Sequence, residues 1–570
     1  MPDAVAIATP GHGDVAGKHA YATCTFGELE ADSQALARGL VDLGVRPGQR
    51  LVLLVKPGIE FVKLVFALLR TGAVTVLVDP GMGRKHLVNC LAAAEPDGFV
   101  AISPAQSVRT LLRRRFPNAR LNVTVGRRWF WGGATYRQLL ERGRRSPTTL
   151  PQTHAADAAA IIFTSGSTGP PKGVLYTHQM FDTQSSEIQH QYGIAPGGAD
   201  LACFALFGLF NSAMGVTTVF PRMDFSRPAS ADPKQLLAAA NDWQVSQAFA
   251  SPAVWDRLSR HGEATGERIP TLRNVFSCGA PVPAAVLQRT LAMVHPEARM
   301  HTPYGATESL PVATIEAAEV LGETAERTRT GAGVCVGRKF DTIDWRVIRI
   351  SDEPIRSIED AEELPLGEIG ELIVRGPQVS PAYVVELRAA SSELRDGTET
   401  RNSQLATHNS LSKIPDGETI WHRIGDVGYL DDQGRFWYCG RKSQRVETRN
   451  GPLFTAPIEE VFNALPGVTR SALVGIGPFG NQLPVVFIEP SASGIIGNTE
   501  SSKTKQAELI DHWRQIETRF DSLTYAPQGY VPLEGILFHP SLPVDVRHNS
   551  KINREQLSAF AAQALNGRSR

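Results

Sequence analysis

RLVLLVKPGIEFVKLVFALLRTGAVTVLVDPGMGRKHLVNCLAAAEPDGFVAIS, residues 50–103, alternates two kinds of apolar pattern. RLVLLV (50–55) is a short continuous apolar run and reads as a buried strand. Pro57 and Gly58 punctuate it, and IEFVKLVFALLR then spaces its apolar side chains at helical intervals. AVTVLVDP reads as the next strand, residues 84–94 as a helix and FVAIS as a third strand. Repeated strand–helix–strand units imply a parallel, doubly wound sheet with right-handed crossovers, and so an α/β fold. Outward from there the pattern returns at QVSQAFA (244–250) and NVFSC (274–278). From about Asp341 it changes to β-rich runs: DWRVIRI, EIGELIVRG, DVGYLDD and RFWYCG. These predict a small antiparallel, β-barrel-like subdomain.

A chain of 570 residues holds more than one domain at about 100–200 residues each. Lys plus Arg and Asp plus Glu both number 58, and this balance argues against a nucleic-acid binder. The six cysteines are widely spaced with no C-x-x-C pair, so neither a zinc site nor a disulfide framework is expected. They read as buried thiols in a reducing compartment. MPDAVAIATPGHGD lacks the basic and apolar regions of a signal peptide. The most apolar stretch, Leu51 to Val78, is interrupted by Lys56, Glu60, Lys63 and Arg70, so no transmembrane segment is expected. The expected location is cytoplasmic. Residues 386–418 and 491–505 are polar with little periodicity and read as flexible loops or insertions. Residues 109–145 hold eleven arginines and one acidic residue, with Phe116, Trp129, Phe130, Trp131 and Tyr136 among them. This segment reads as a solvated basic face over a few buried aromatics, with a membrane- or partner-docking patch as the alternative.

Between two apolar runs lies IIFTSGSTGPPKGV (161–174). Thr164, Ser165, Ser167 and Thr168 can donate to phosphate oxygens, and Lys172 adds a positive charge. Gly166, Gly169 and Gly173 let backbone N–H groups crowd an anion. It is not a Walker A loop, because Pro170 and Pro171 precede the lysine and no Gly-Lys-Ser/Thr leads into a helix.

TSGSTGPPKG resembles the signature of the adenylate-forming superfamily: acyl- and aryl-CoA ligases, nonribosomal-peptide adenylation domains and luciferases. Further motifs follow in that family's order. They are SCGAP (277–281), YGATES (304–309), WHRIGDVGYL (421–430), GRKSQRVETRNG (440–451) and LPVDVRHNSKINR (542–554). The resemblance implies ATP and Mg²⁺ as cofactors. It implies that the loop from Thr164 to Gly169 and Lys172 hold phosphates, and that Gly279, Ala280 and Pro281 pack against adenine. Tyr304 and Gly305 belong to the nucleotide site, Asp426 takes the ribose diol and Arg441 contacts the ribose. Thr307 meets the α-phosphate, Glu308 is the Mg²⁺ ligand, and Lys551 bridges carboxylate and α-phosphate. It also implies a large N-terminal AMP-binding domain, residues 1–440. A small mobile α+β C-terminal domain, residues 441–570, then carries Lys551. His178 and His422 receive no catalytic role.

Three positions depart from the family pattern. Ser443 stands where an acidic residue is usual. Pro452 stands where several CoA ligases have an arginine, and FALFGLFN (204–211) lacks a histidine common in those enzymes. The last two weaken coenzyme A as the acceptor, so it is not expected. PPKGVLYTHQMF, FGLFNSAMG, SCGAPVP, HTPYGATESLPVA and WHRIGDVGYLDDQGRFWYCGRKSQRV resemble the bacterial olefin-pathway β-lactone synthetases. That resemblance implies a long-chain β-hydroxy acid, activated as its acyl-AMP and captured by its own hydroxyl, which a held geometry favours. It leaves room for association with other enzymes of such a pathway. The alternatives are a long-chain fatty acyl-CoA ligase and a non-catalytic nucleotide-binding scaffold. The acyl pocket is expected around Phe204–Gly215, Phe249–Trp255 and Cys278–Pro281. No base for the hydroxyl can be named from the residues alone.

Overall fold

The computed structural model describes residues 1–15, 18–163, 171–386, 408–491, 504, 507, 511, 535–544 and 552–566. Residues 50–103 fold as their pattern predicts. Strands Arg50–Leu54, Val74–Leu77 and Gly98–Ile102 alternate with helices Ile59–Arg70 and Arg84–Ala93. Leu51, Val52 and Leu53 are buried, as a strand covered on both faces requires. These strands belong to an eight-stranded sheet. Its order is Tyr383–Glu386, Lys172–Thr177, Ala158–Phe163, Val74–Leu77, Arg50–Leu54, Gly98–Ile102, Leu121–Val125, Ala134–Thr135. The pairings from Ala158–Phe163 to Ala134–Thr135 are parallel, and the two at the other edge are antiparallel.

A second, fourteen-stranded sheet contains the other parallel set, with Gln247–Ala250 and Asn274–Ser277 side by side. Beyond Arg299–Ala306 it turns antiparallel and runs into the β-rich strands. Asp344–Ile348, Gly370–Arg375, Thr419–Leu430 and Phe436–Arg441 fall where the β-rich runs predict them. From Val446 onward, two apolar clusters form around the hairpin Val446–Thr448/Gly451–Leu453 and the three-stranded sheet Val468–Ile476, Leu483–Pro490, Gly535–Phe538.

One expectation is corrected. Residues 386–418 read as a featureless loop, yet 408–412 form a helical turn and Lys413–Asp416 form a strand. That strand pairs with Thr419–Leu430 through a two-residue turn at Gly417 and Glu418. Ile414, fully buried, supplies the apolar anchor. Residues 387–407, and most of 491–505, lie outside the described residues. In the arginine-rich segment Phe116 and Trp131 are buried, but Trp129 and Phe130 are exposed. All six cysteines are free thiols. Among the described residues no helix is long and apolar enough to cross a membrane.

One buried charge sets a pH dependence. Asp200 is fully buried and accepts a 2.7 Å hydrogen bond from Asn211. Burial pushes its carboxyl up from 3.8 to about 7, and hydrogen bonds from Asn211 and Gln247 only partly oppose this. The folded state therefore holds the proton more tightly than the unfolded chain. Its contribution is fully present below about pH 4 and is lost as pH rises through about 7, by at most about 4 kcal/mol. Asp200→Asn, which keeps an oxygen for Asn211, should flatten the melting temperature between pH 5 and 8 and raise it at pH 8. A variant whose melting curve against pH runs parallel to wild type would show that Asp200 does not carry the effect.

Candidate functional site

Two strands bracket the glycine-rich loop. Ala158–Phe163 enters it and Lys172–Thr177 leaves it, paired antiparallel with Phe163 opposite Gly173. Thr164, Ser165, Gly166, Ser167, Thr168 and Gly169 lie outside the described residues, as does Lys551. Lys172 is described, and its Nζ hydrogen-bonds the His408 imidazole at Nε2. The same ammonium lies 5.4 Å from the Tyr383 ring centroid.

Thr307 and Glu308 form the turn between strands Arg299–Ala306 and Ser309–Glu316. A Cβ on Gly305 would lie 2.6 Å from the Ser309 carbonyl oxygen, so only glycine permits this hairpin. The turn is tied to the loop strand, since the Tyr176 hydroxyl donates to the Thr307 carbonyl at 2.6 Å. The Tyr383 hydroxyl donates to Glu308 Oε1 at 2.6 Å, and the Ser380 N–H donates to the Glu308 carbonyl at 2.7 Å. Among the described residues no group of three His, Cys, Asp or Glu side chains could hold a metal. A single carboxylate suits Mg²⁺, which keeps waters and takes phosphate oxygens rather than filling an all-protein cage.

Tyr304 lies on the same hairpin and reaches Asp426, donating its hydroxyl to Oδ2 at 2.5 Å. Asp426 and Arg441 face each other across paired strands, with Arg441 Nη1 2.9 Å from Asp426 Oδ1. That approach lacks hydrogen-bond alignment, so Oδ1 is a buried acceptor with no hydrogen-bond partner. Burial pushes the Asp426 carboxyl up, while Arg441 and the Tyr304 hydroxyl pull it down. The Asp426 charge in turn holds Arg441 firmly protonated. A buried carboxylate oxygen without a donor is what a ribose hydroxyl would satisfy. Gly279, Ala280 and Pro281 follow strand Asn274–Ser277, which pairs with Arg299–Ala306. Gly279 has φ 97°, a left-handed conformation that side chains disfavour. It lets the chain turn away from the sheet and leaves an exposed backbone surface there.

The structure thus brings Lys172, Thr307, Glu308, Tyr304, Asp426 and Arg441 to one region. Glu308 lies within electrostatic reach of both Asp426 and Arg441. It adds residues that the sequence reading missed. Asn409 hydrogen-bonds the Tyr383 backbone twice, at 2.9 and 3.0 Å, fixing the tyrosine that holds Glu308. Lys413 is buried and donates to the Ser380 carbonyl at 2.5 Å. Burial pushes its ammonium down to about 7, against the attraction of Glu308. Burial, then Lys172 and Lys413, push the His408 imidazole down to about 4, so it is neutral and can accept from Lys172. The one available signal was Asp416-Gly417 between apolar residues, a hairpin cue.

Where the acyl pocket is expected, Phe207 stacks on Phe249 with centroids 3.6 Å apart. Phe210 and Cys278 pack in the same cluster, next to Gly279. Trp255 belongs to a different core and donates its indole N–H to the Phe276 carbonyl, so it does not line this cluster.

A profile of the AMP-binding enzyme family matches residues 1–384. An olefin β-lactone synthetase of Stenotrophomonas maltophilia is 42% identical over 100% of this chain and 97% of its own length. A second, from Xanthomonas campestris pv. campestris, is 41% identical over 99% of this chain and 95% of its own. The fold is similar to that of an amide bond synthetase from Marinactinospora thermotolerans. The TM-score is 0.73 at 18% identity, over 98% of this chain and 96% of that one.

Proposed function

Because the chain belongs to the AMP-binding enzyme family and, within it, to the olefin β-lactone synthetases, we infer that it activates a long-chain β-hydroxy acid with ATP and closes it to a β-lactone. In the first step a carboxylate oxygen attacks the α-phosphorus. The bond to the bridging oxygen breaks, and pyrophosphate leaves with the electron pair. In the second, the substrate's β-hydroxyl oxygen attacks the acyl carbon of the acyl-AMP. The acyl–phosphate C–O bond breaks, AMP leaves and the hydroxyl proton is lost. Holding hydroxyl and acyl carbon in one molecule makes the closure effectively concentrated.

The observation that carries the adenylation step is the buried Oδ1 of Asp426, ion-paired with Arg441 but without a hydrogen-bond donor. It accepts from the ribose diol, and the Arg441 charge opposes the rise that burial imposes on its carboxyl. Gly279, Ala280 and Pro281 take the adenine face. Residues 164–169 and Lys172 hold the phosphates, and Thr307 donates to the α-phosphate. Glu308 would hold Mg²⁺, which when bound neutralises phosphate charge. Residues 1–440 form the binding domain, and the smaller domain, 441–570, brings Lys551 to the reacting oxygens. Whole-length likeness to β-lactone synthetases supports intramolecular capture, and so does Pro452. Pro452 stands opposite Glu447 in a short hairpin where several CoA ligases place an arginine.

The expected result is sustained AMP release with a long-chain β-hydroxy acid. With a plain fatty acid of equal length, AMP should remain enzyme-bound as acyl-AMP at about one equivalent, because there is no internal nucleophile. Equal steady-state turnover of both acids would contradict intramolecular capture.

A further inference from the structure

Strand Leu121–Val125 ends in a loop, Gly126-Arg127-Arg128-Trp129-Phe130, that is exposed at every residue. Trp129 and Phe130 expose 55% and 71% of their surface, unusual for large apolar side chains. They are not loose. Both pack on Trp131, with ring centroids 5.4 and 5.0 Å away. Trp131 is buried and donates its indole N–H to Thr124 Oγ1 at 2.9 Å. The loop is therefore a protruding aromatic wedge with a rigid root. Arg127 and Arg128 directly precede the two rings and are both exposed; Arg128 donates to the Gly133 carbonyl, and among the described residues neither forms an ion pair with a carboxylate. Arg137, also exposed, opens the helix Tyr136–Arg145 that leaves the same edge after Ala134–Thr135. Over residues 109–145 the only acidic residue is Glu141.

We propose that the loop 126–130 docks the protein on an anionic lipid surface, with Trp129 and Phe130 entering the headgroup region and Arg127 and Arg128 pairing with lipid phosphates. Aromatic rings favour that interface, and basic side chains are drawn to its negative potential. A stable protein interface buries about 800 Å² per partner, more than a projecting tip of two aromatic side chains offers, whereas insertion into lipid needs only such a tip. Orientation adds to the case. The parallel pairing from Leu121–Val125 through to Ala158–Phe163 puts Val125 and Phe163 at the same, carboxyl-terminal edge of the sheet. Four strand spacings separate them, about 19 Å. Docking would bring the edge that bears the glycine-rich loop toward the lipid, where a long-chain acid partitions. The binding itself does not rest on the proposed reaction.

The test is co-sedimentation of the full chain with phosphatidylcholine vesicles, with and without phosphatidylglycerol. Wild type should bind the anionic vesicles at least tenfold more than the neutral ones, and lose that binding at high salt. Trp129→Ala/Phe130→Ala and, separately, Arg127→Glu/Arg128→Glu should each reduce binding at least tenfold. Both should keep wild-type melting temperature and pyrophosphate exchange with a short, soluble acid, which separates lipid docking from catalysis. The single variant Arg127→Glu, which should also weaken binding, guards against a packing defect around Trp131, since Arg128 donates to the Gly133 carbonyl whereas the Arg127 side chain makes no such contact among the described residues. Absence of wild-type binding to anionic vesicles overturns the proposal. So does undiminished binding by the charge variant, or self-association through this loop in place of lipid binding.

Discussion

Lys551→Ala should lower acid-dependent ATP–pyrophosphate exchange by about 10²–10³, the usual cost of removing one oriented cation from a charge-accumulating transition state. ATP binding should change little, because the bridging contact forms as the carboxylate attacks. Lys551 itself lies outside the described residues, and the residues after it are held in place. Ile552 bridges to Val544, and the Asn553 N–H donates to the Pro543 carbonyl at 2.8 Å. Arg554 is held by Glu459, with Nη1 and Nη2 at 2.5 and 3.0 Å from its two carboxylate oxygens. The Arg554 guanidinium is felt at Tyr438, which also feels Asp426. Arg554 Nε also lies 3.3 Å from Gln444 Oε1, so the segment that follows Lys551 packs near the end of strand Phe436–Arg441. Exchange near the wild-type rate in Lys551→Ala would remove that lysine from the mechanism.

Asp426→Ala should act differently. The ribose contact proposed for it would exist already in the ground state, so the loss should appear mainly as weaker ATP binding. A hydrogen bond to a charged group contributes about 1.5–3 kcal/mol, which corresponds to a KM for ATP raised roughly 10–100-fold. Asp426→Asn, which keeps one acceptor, should recover part of it. The Ala variant also leaves Arg441 and the Tyr304 hydroxyl without their buried partner, so its melting temperature should fall. An unchanged KM for ATP in a folded Asp426→Ala protein would move the ribose elsewhere.

What could be read from the sequence is what local pattern determines. Apolar runs at 50–54, 74–77 and 98–102 became strands because burial on both faces needs continuous apolar residues. Glycines, hydroxyls and one lysine point to a phosphate loop from the sequence alone because they lie within fourteen residues, 161–174. The part hidden from the sequence depends on partners far along the chain. His408 meets Lys172 across 236 positions, and Tyr383 meets Glu308 across 75. In the sequence His408, Asn409 and Lys413 belong to a polar stretch like any exposed loop, and only the contacts reveal them as the wall of the site. The aromatic run at 129–131 had the same ambiguity. Trp131 alone is buried and donates to Thr124 in the preceding strand, and its two neighbours stay outside.

The β-lactone is the most direct test of the whole reaction. The enzyme, ATP, Mg²⁺ and a long-chain β-hydroxy acid should be incubated with and without coenzyme A, and the organic extract examined by mass spectrometry. The predicted result is a β-lactone in both cases, with AMP and pyrophosphate released in equal amounts. AMP release that requires coenzyme A, with an acyl thioester accumulating in place of the lactone, would contradict it.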